Sequence, residues 1–128
     1  MKHLLDTAVF LWAAFGEAEK LSRKALKIIE GSDELYFSAV SAWEIAIKYS
    51  IGKLPLKKDP QQWLPDVVLK MGLKQLPIAQ RHALRVSHLP EHHKDPFDRL
   101  LIAQALLEDM SLLTPDAAIK KYRVPVIW

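Results

Sequence analysis

Short apolar runs of strand length alternate along this chain with helical patterns, and that alternation narrows the fold more than any other feature. Strand-like runs read at residues 2–6, 35–38, 73–77, 111–114 and 124–127. Helical patterns fill the gaps at 9–15, 22–30, 39–51, 61–71, 79–87 and 96–109, the last expected to be the longest helix. Gly52 and Gly72 stand where two helices should stop, and Gly31-Ser32-Asp33 reads as a third stop and turn. Residues 53–60 and 89–94 read as loops. Strands separated by helices imply right-handed crossovers, hence a parallel sheet covered on both faces. Runs this apolar suit strands buried from both sides. The expected fold is therefore α/β, and 128 residues fit one domain spanning 1–128.

Composition removes several classes of function. With no cysteine, disulfides, thiolate nucleophiles and cysteine-based zinc sites are excluded, and a cytoplasmic setting is the expectation. The first 15 residues faintly resemble a signal peptide, but Asp6 interrupts the apolar stretch and Gly16-Glu17-Ala18-Glu19 suits cleavage poorly, so they read as mature protein. No apolar stretch has the length of a membrane span. Only four glycines are present, and no GxGxxG, Gly-rich phosphate loop or GxSxG elbow occurs.

Four carboxylates sit where carboxylates are costly. Asp6 ends the first strand-like run, Glu44 interrupts the apolar helix after the second, Asp98 leads the helix before the fourth, and Asp116 follows the fourth. An ionised acid beside buried apolar surface is expensive unless something pairs with it. In a parallel α/β sheet, ligands bind beyond the carboxyl ends of the strands, at the switch in strand order. The assumed topology lets all four acids meet there, and a divalent cation is the natural shared partner. The chain carries 18 Lys and Arg against 15 Asp and Glu; setting the four aside leaves 11 acids elsewhere. An acidic pocket in a basic surround suits a metal site that handles a polyanion such as nucleic acid.

Each acid also has a plainer reading. Glu44 can pair with Lys48 one turn away. Asp95 before Pro96 makes a good helix start, and Asp98 in the first turn complements the helix dipole, so capping alone does not separate the two. Asp116 can start a turn or helix after Thr114-Pro115, and the Thr114 hydroxyl can cap that turn or meet a bound phosphate. His82, His88, His92 and His93 lack zinc-site spacing, and neighbouring loop positions rarely aim at one metal. They read as ordinary loop histidines.

Several segments together resemble a PIN-domain protein of the VapC toxin type. They are Leu4-Leu5-Asp6-Thr7, the helix containing Trp43-Glu44-Ile45-Ala46-Ile47-Lys48, Gly52-Lys53-Leu54, Asp95-Pro96-Phe97-Asp98-Arg99 with the Leu-Leu-Ile-Ala-Gln-Ala that follows, and Leu112-Leu113-Thr114-Pro115-Asp116. The resemblance implies a three-layer α/β/α sandwich with a central parallel sheet of about five strands. It implies a metal-dependent endoribonuclease that leaves 5′-phosphate and 3′-hydroxyl ends, serves as the toxin of a toxin–antitoxin pair and usually forms a homodimer. Asp6, Glu44, Asp98 and Asp116 would be both catalytic residues and ligands of Mg²⁺ or Mn²⁺, with Asp98 chosen over Asp95. Thr7, Thr114, Lys48 and Arg99 are the expected neighbours of the RNA substrate. One departure stands out: the family often carries histidine after its Leu-Leu-Asp-Thr, and this chain has Ala8. The cage of acids is complete, so the departure bears on rate or RNA preference. Arg123 stands where a small turn residue is common.

Two rival readings come from other classes. A receiver-like phosphoacceptor domain also gathers acids around Mg²⁺ at strand ends, but needs a lysine at the end of its last strand. Val124-Pro125-Val126-Ile127-Trp128 offers none. A catalytically weak interaction protein would use Phe10, Trp12, Trp43 and Tyr49 as an apolar contact surface, although core packing also accounts for such residues.

Overall fold

The fold is taken from a computed structural model, which describes residues 1–31 and 33–128. The expected turn at 31–33 thus lies partly outside the described residues. Five strands form one sheet: β1 (Lys2–Leu5), β2 (Glu34–Ser38), β3 (Lys74–Leu76), β4 (Ser111–Leu113) and β5 (Val126–Ile127). Six α-helices connect them: α1 (Thr7–Ala14), α2 (Arg23–Glu30), α3 (Ala39–Ser50), α4 (Pro60–Lys70), α5 (Gln80–Arg85) and α6 (Pro96–Leu107). Every strand pairing is parallel, in the order β3-β2-β1-β4-β5.

That order places the switch point between β1 and β4. The chain adds β2 and β3 on one side of β1, then returns to add β4 and β5 on the other. A cleft opens where the connections after β1 and β4 diverge. The amide of Asp6 still bonds the carbonyl of Leu113 at 3.2 Å, so the two strand ends stay in register up to the cleft.

Side chains alternate between two apolar layers, as period two requires. Leu4 of β1 and Leu112 of β4 pack with Leu101, Ile102 and Ala105 of α6 on one face. Leu5 and Leu113, one residue later in each strand, pack with Phe10 of α1, Ile45 of α3 and Val68 of α4 on the other. Helices therefore cover both faces in a three-layer sandwich. No helix among the described residues is long and apolar enough to cross a membrane.

Local chemistry sets the helix limits. Ser22, Ser38, Asp59 and Asp95 each accept a backbone N–H from the first turn of the helix that follows. Gly52 and Gly72 end α3 and α4 in the left-handed region, at φ 75° and 67°, where a side chain would be strained. The helix expected at 79–87 divides into α5 and a 3-10 turn at Val86–His88. The last helix closes at Leu107 and is no longer than α3: both have 12 residues.

Candidate metal centre at the sheet switch point

Asp6 follows β1 directly and caps α1. Its Oδ1 accepts the Ala8 amide at 3.1 Å, and its Oδ2 accepts the Thr114 hydroxyl at 2.5 Å. The first acid therefore has a structural use that the strand-end pattern alone does not reveal. Burial raises its pKa above the usual carboxylate range; the two hydrogen bonds oppose that shift, and the Glu44 and Asp116 charges add to it.

Glu44 enters from the second turn of α3. The expected pair with Lys48 forms, with Nζ 2.6 Å from Oε2. It satisfies only half of the carboxylate. Oε1 is buried and has no hydrogen-bond partner among the described residues. An orphaned acceptor at this depth costs about 1–3 kcal/mol, and a cation in the cleft would relieve it.

Asp95 and Asp98 both line the cleft but differ in their hydrogen bonds. Asp95 Oδ1 accepts the amides of Phe97 at 2.8 Å and Asp98 at 3.3 Å, so it is the cap of α6. Asp98 turns into the cleft. Its pKa is raised to about 7, first by burial and then by Asp6, Asp95 and Glu44, with His93 opposing. Asp116 sits at the outer rim: Oδ1 accepts the Ala118 amide at 2.9 Å, and the side chain is one-third exposed.

The four acids come from four different parts of the chain and line one cleft of about 330 Å³, together with Asp95, Thr7, Ala8 and Lys48. Of the four expected substrate neighbours, Lys48 alone presents an accessible polar head there, with its side chain 46% exposed. Thr7 is buried and shares a 2.7 Å hydrogen bond with Ser41. Thr114 is fully buried: its hydroxyl donates to Asp6 and accepts the Asp116 amide at 3.1 Å, leaving nothing for a phosphate. Arg99 points away from the cleft. Its guanidinium donates to the carbonyls of Pro90 at 2.8 Å and Val86 at 3.0 Å and to the Tyr122 hydroxyl at 3.2 Å. These bonds, with a further one to the His93 carbonyl at 3.4 Å, make it a strut for the loop before α6.

His93 belongs to the site, against its reading as an ordinary loop histidine. Its Nε2 lies 3.1 Å from Asp98 Oδ2 and 3.1 Å from Asp116 Oδ2. His92, by contrast, packs edge-on against Tyr122 at 5.1 Å. Adjacent loop residues do diverge as expected, and one of the pair still reaches the acids. The available signal was position: His93 lies two residues before the cap of a helix whose first turn faces the cleft.

The donor set fits a hard divalent cation. It is rich in carboxylate oxygen, has one orphaned buried oxygen, and contains an acid whose pKa is raised to about 7 by burial and by neighbouring carboxylates. His93, Asp98 and Asp116 place ligand-type atoms within 4.8 Å of one another.

Comparison with known proteins bears on the family and the fold. The PIN domain family profile matches residues 3–125. The ribonuclease VapC22 of Mycobacterium tuberculosis is 31% identical over 123 residues, covering 95% of this chain and 92% of that protein. A structure of VapBC2 from Rickettsia felis, bound to a DNA fragment from its promoter, superposes with a TM-score of 0.69 at 15% identity, covering 99% of this chain and 98% of that one. A toxin–antitoxin complex from Klebsiella pneumoniae gives a TM-score of 0.65 at 18% identity, covering 98% and 96%. These two structural likenesses concern the fold. Profile, relative and fold agree, and the chain belongs to the PIN domain family.

Proposed function

We propose that this protein is a metal-dependent endoribonuclease, the toxin of a toxin–antitoxin pair, working in the cytoplasm on RNA. The observation that carries the reading is the convergence of Asp6, Glu44, Asp98 and Asp116 on one cleft, with the buried Glu44 Oε1 left without a partner. The likeness to a VapC ribonuclease over nearly the whole chain supports RNA as the substrate. The solved neighbours that are toxin–antitoxin complexes support a cognate antitoxin as partner. A homodimer is proposed from the family resemblance.

Asp6, Glu44 and Asp98, with Asp116 at the rim, would hold Mg²⁺ or Mn²⁺, whose chemistry is to lower the pKa of a bound water and to neutralise charge on the scissile phosphate. The protein's own groups prepare the site for that role. Thr114 and the Ala8 amide fix both oxygens of Asp6. Lys48 keeps its charge, because its bond to Glu44 raises its pKa, and it offers an ammonium at the cleft mouth for a substrate phosphate. With a pKa raised to about 7, the Asp98 carboxyl is partly protonated near neutral pH, and that proton would have to leave for the carboxylate to hold a cation. The Ala8 side chain adds no polar group, so its amide bond to Asp6 is what that position supplies.

The test is cleavage of total RNA with Mg²⁺, with Mn²⁺ and with chelator, by wild type and Asp6→Asn. Asparagine keeps a capping oxygen for α1, so the variant should fold. The expected result is cleavage by wild type only with metal, and a loss of at least about 100-fold in the variant. Equal cleavage by both proteins, or cleavage in chelator, rejects the reading.

A further inference from the structure

His93 touches two of the cleft acids, and the four-carboxylate account leaves it without a task. The surrounding contacts define its ring completely. Nδ1 accepts the backbone amide of Asp95 at 3.1 Å, so Nδ1 carries a lone pair and the proton of the neutral ring is on Nε2. That N–H donates to Asp116 Oδ2 at 3.1 Å, and Asp98 Oδ2 lies beside it at the same distance as a charge contact rather than a second hydrogen bond. The backbone is fixed independently of the ring. The His93 amide donates to the Tyr122 hydroxyl at 2.9 Å, which donates in turn to the Pro90 carbonyl at 2.9 Å.

We infer that His93 is a positioning residue: its tautomer is locked by the amide of Asp95, and its Nε2–H holds the rim acid Asp116 by a hydrogen bond while the ring stands against the inner acid Asp98, so that the two carboxylates face the cation together. The inference rests on the proposed cation site and extends it to a histidine outside the four acids.

Two other roles fit the geometry less well. As a metal ligand, Nε2 would have to lose its proton to Nδ1, which would then oppose the Asp95 N–H, donor against donor. As a plug standing in for the cation, the ring would have to satisfy the deepest acceptor. The buried Glu44 Oε1 has no partner among the described residues, and the ring does not reach it. A carboxylate oxygen has two lone-pair sites, so Asp116 can accept from His93 and still bind a cation. Hydrogen bonds of this kind to ligating groups commonly set metal affinity by about 10–100-fold.

The experiment measures Mn²⁺ binding to wild type, His93→Ala and His93→Gln, with each variant's metal-free melting temperature as a fold control. Gln keeps an N–H donor of similar reach. Alanine is expected to weaken Mn²⁺ binding by about 10-fold or more, and Gln to recover a good part of the loss. In a Mg²⁺-loaded sample, the long-range ¹H–¹⁵N spectrum of the His93 ring should still show the proton on Nε2. Unchanged binding in His93→Ala overturns the positioning role, and tighter binding overturns it in favour of a plug. A switch of the ring to Nδ1–H on loading overturns it in favour of a ligand. Failure of wild type to bind Mn²⁺ rejects the cation site itself, which separates that outcome from the other three.

Discussion

Asp98 is surrounded by its own sign and by little water, and its titration is the clearest consequence at the scale of a residue. Its folded pKa of about 7 lies above the ordinary aspartate value of 3.8. Between those values the folded protein binds more protons than the unfolded chain, so metal-free stability falls as pH rises through this window. Above the folded value the whole penalty remains. Asp98→Asn should therefore stabilise the metal-free protein by about 2 kcal/mol at pH 8, roughly half the full linkage value because the side chain is partly wetted, and by little at pH 4. Chemical denaturation at the two pH values measures this. A loss of stability that is the same at both would mean that Asp98 is an ordinary structural acid. Asp6 teaches a different lesson at the same scale. Its place at the strand end is legible in sequence, but its cap on α1 and its bond from Thr114 depend on how the chain turns between β1 and α1. An acid can serve the fold with the same oxygens that it offers to a site.

Among the elements, the junction into α6 shows how much one short segment can specify. In the run from His93 to Arg99, His93 reaches the cleft acids, Asp95 caps the helix, and Pro96 opens it at the position that needs no N–H. Phe97 meets Trp43 of α3 edge-on at 5.0 Å, Asp98 faces the cleft, and Arg99 holds the loop carbonyls. Asp95→Ala should cost about 1 kcal/mol and lower the melting temperature by about 3–5 °C, and Asp95→Ser should recover most of it. Thermal unfolding by circular dichroism decides this. An unchanged melting temperature for the alanine variant would remove Asp95 from the capping role. The elements themselves were legible in the sequence, because strand runs, glycine stops and the Asp-Pro start are local signals. The roles of Arg99, Thr114 and His93 were not. They depend on contacts across 13, 108 and 23 residues of chain, which no local pattern encodes. Arg99 looked like a phosphate neighbour because a cation beside an acid motif suggests one; tertiary structure instead gives its guanidinium to backbone carbonyls.

For the whole molecule, topology explains why the site exists. Adding β2 and β3 on one side of β1, and β4 and β5 on the other, opens the layer between the ends of β1 and β4. Asp6 and Asp116 follow those two ends, and α3 and α6 aim Glu44 and Asp98 at the same gap. The parallel sheet could be read from strand–helix alternation; the meeting of the four acids rested on an assumed topology, and the strand order that fixes the switch point comes from the structure. The family resemblance was needed to choose Asp98 over Asp95, and coordinates were needed to show Glu44 half-satisfied by Lys48. The central claim is that these four acids, from separate parts of the chain, make one cation site. Anomalous scattering from crystals of the Mn²⁺-loaded protein tests it most directly. The account predicts a Mn²⁺ peak in the cleft at coordination distance from Asp6, Glu44 or Asp98 oxygens, directly or through one water, with His93 Nε2 outside the coordination sphere. No peak there at saturating Mn²⁺, or a peak elsewhere with the cleft empty, would contradict it.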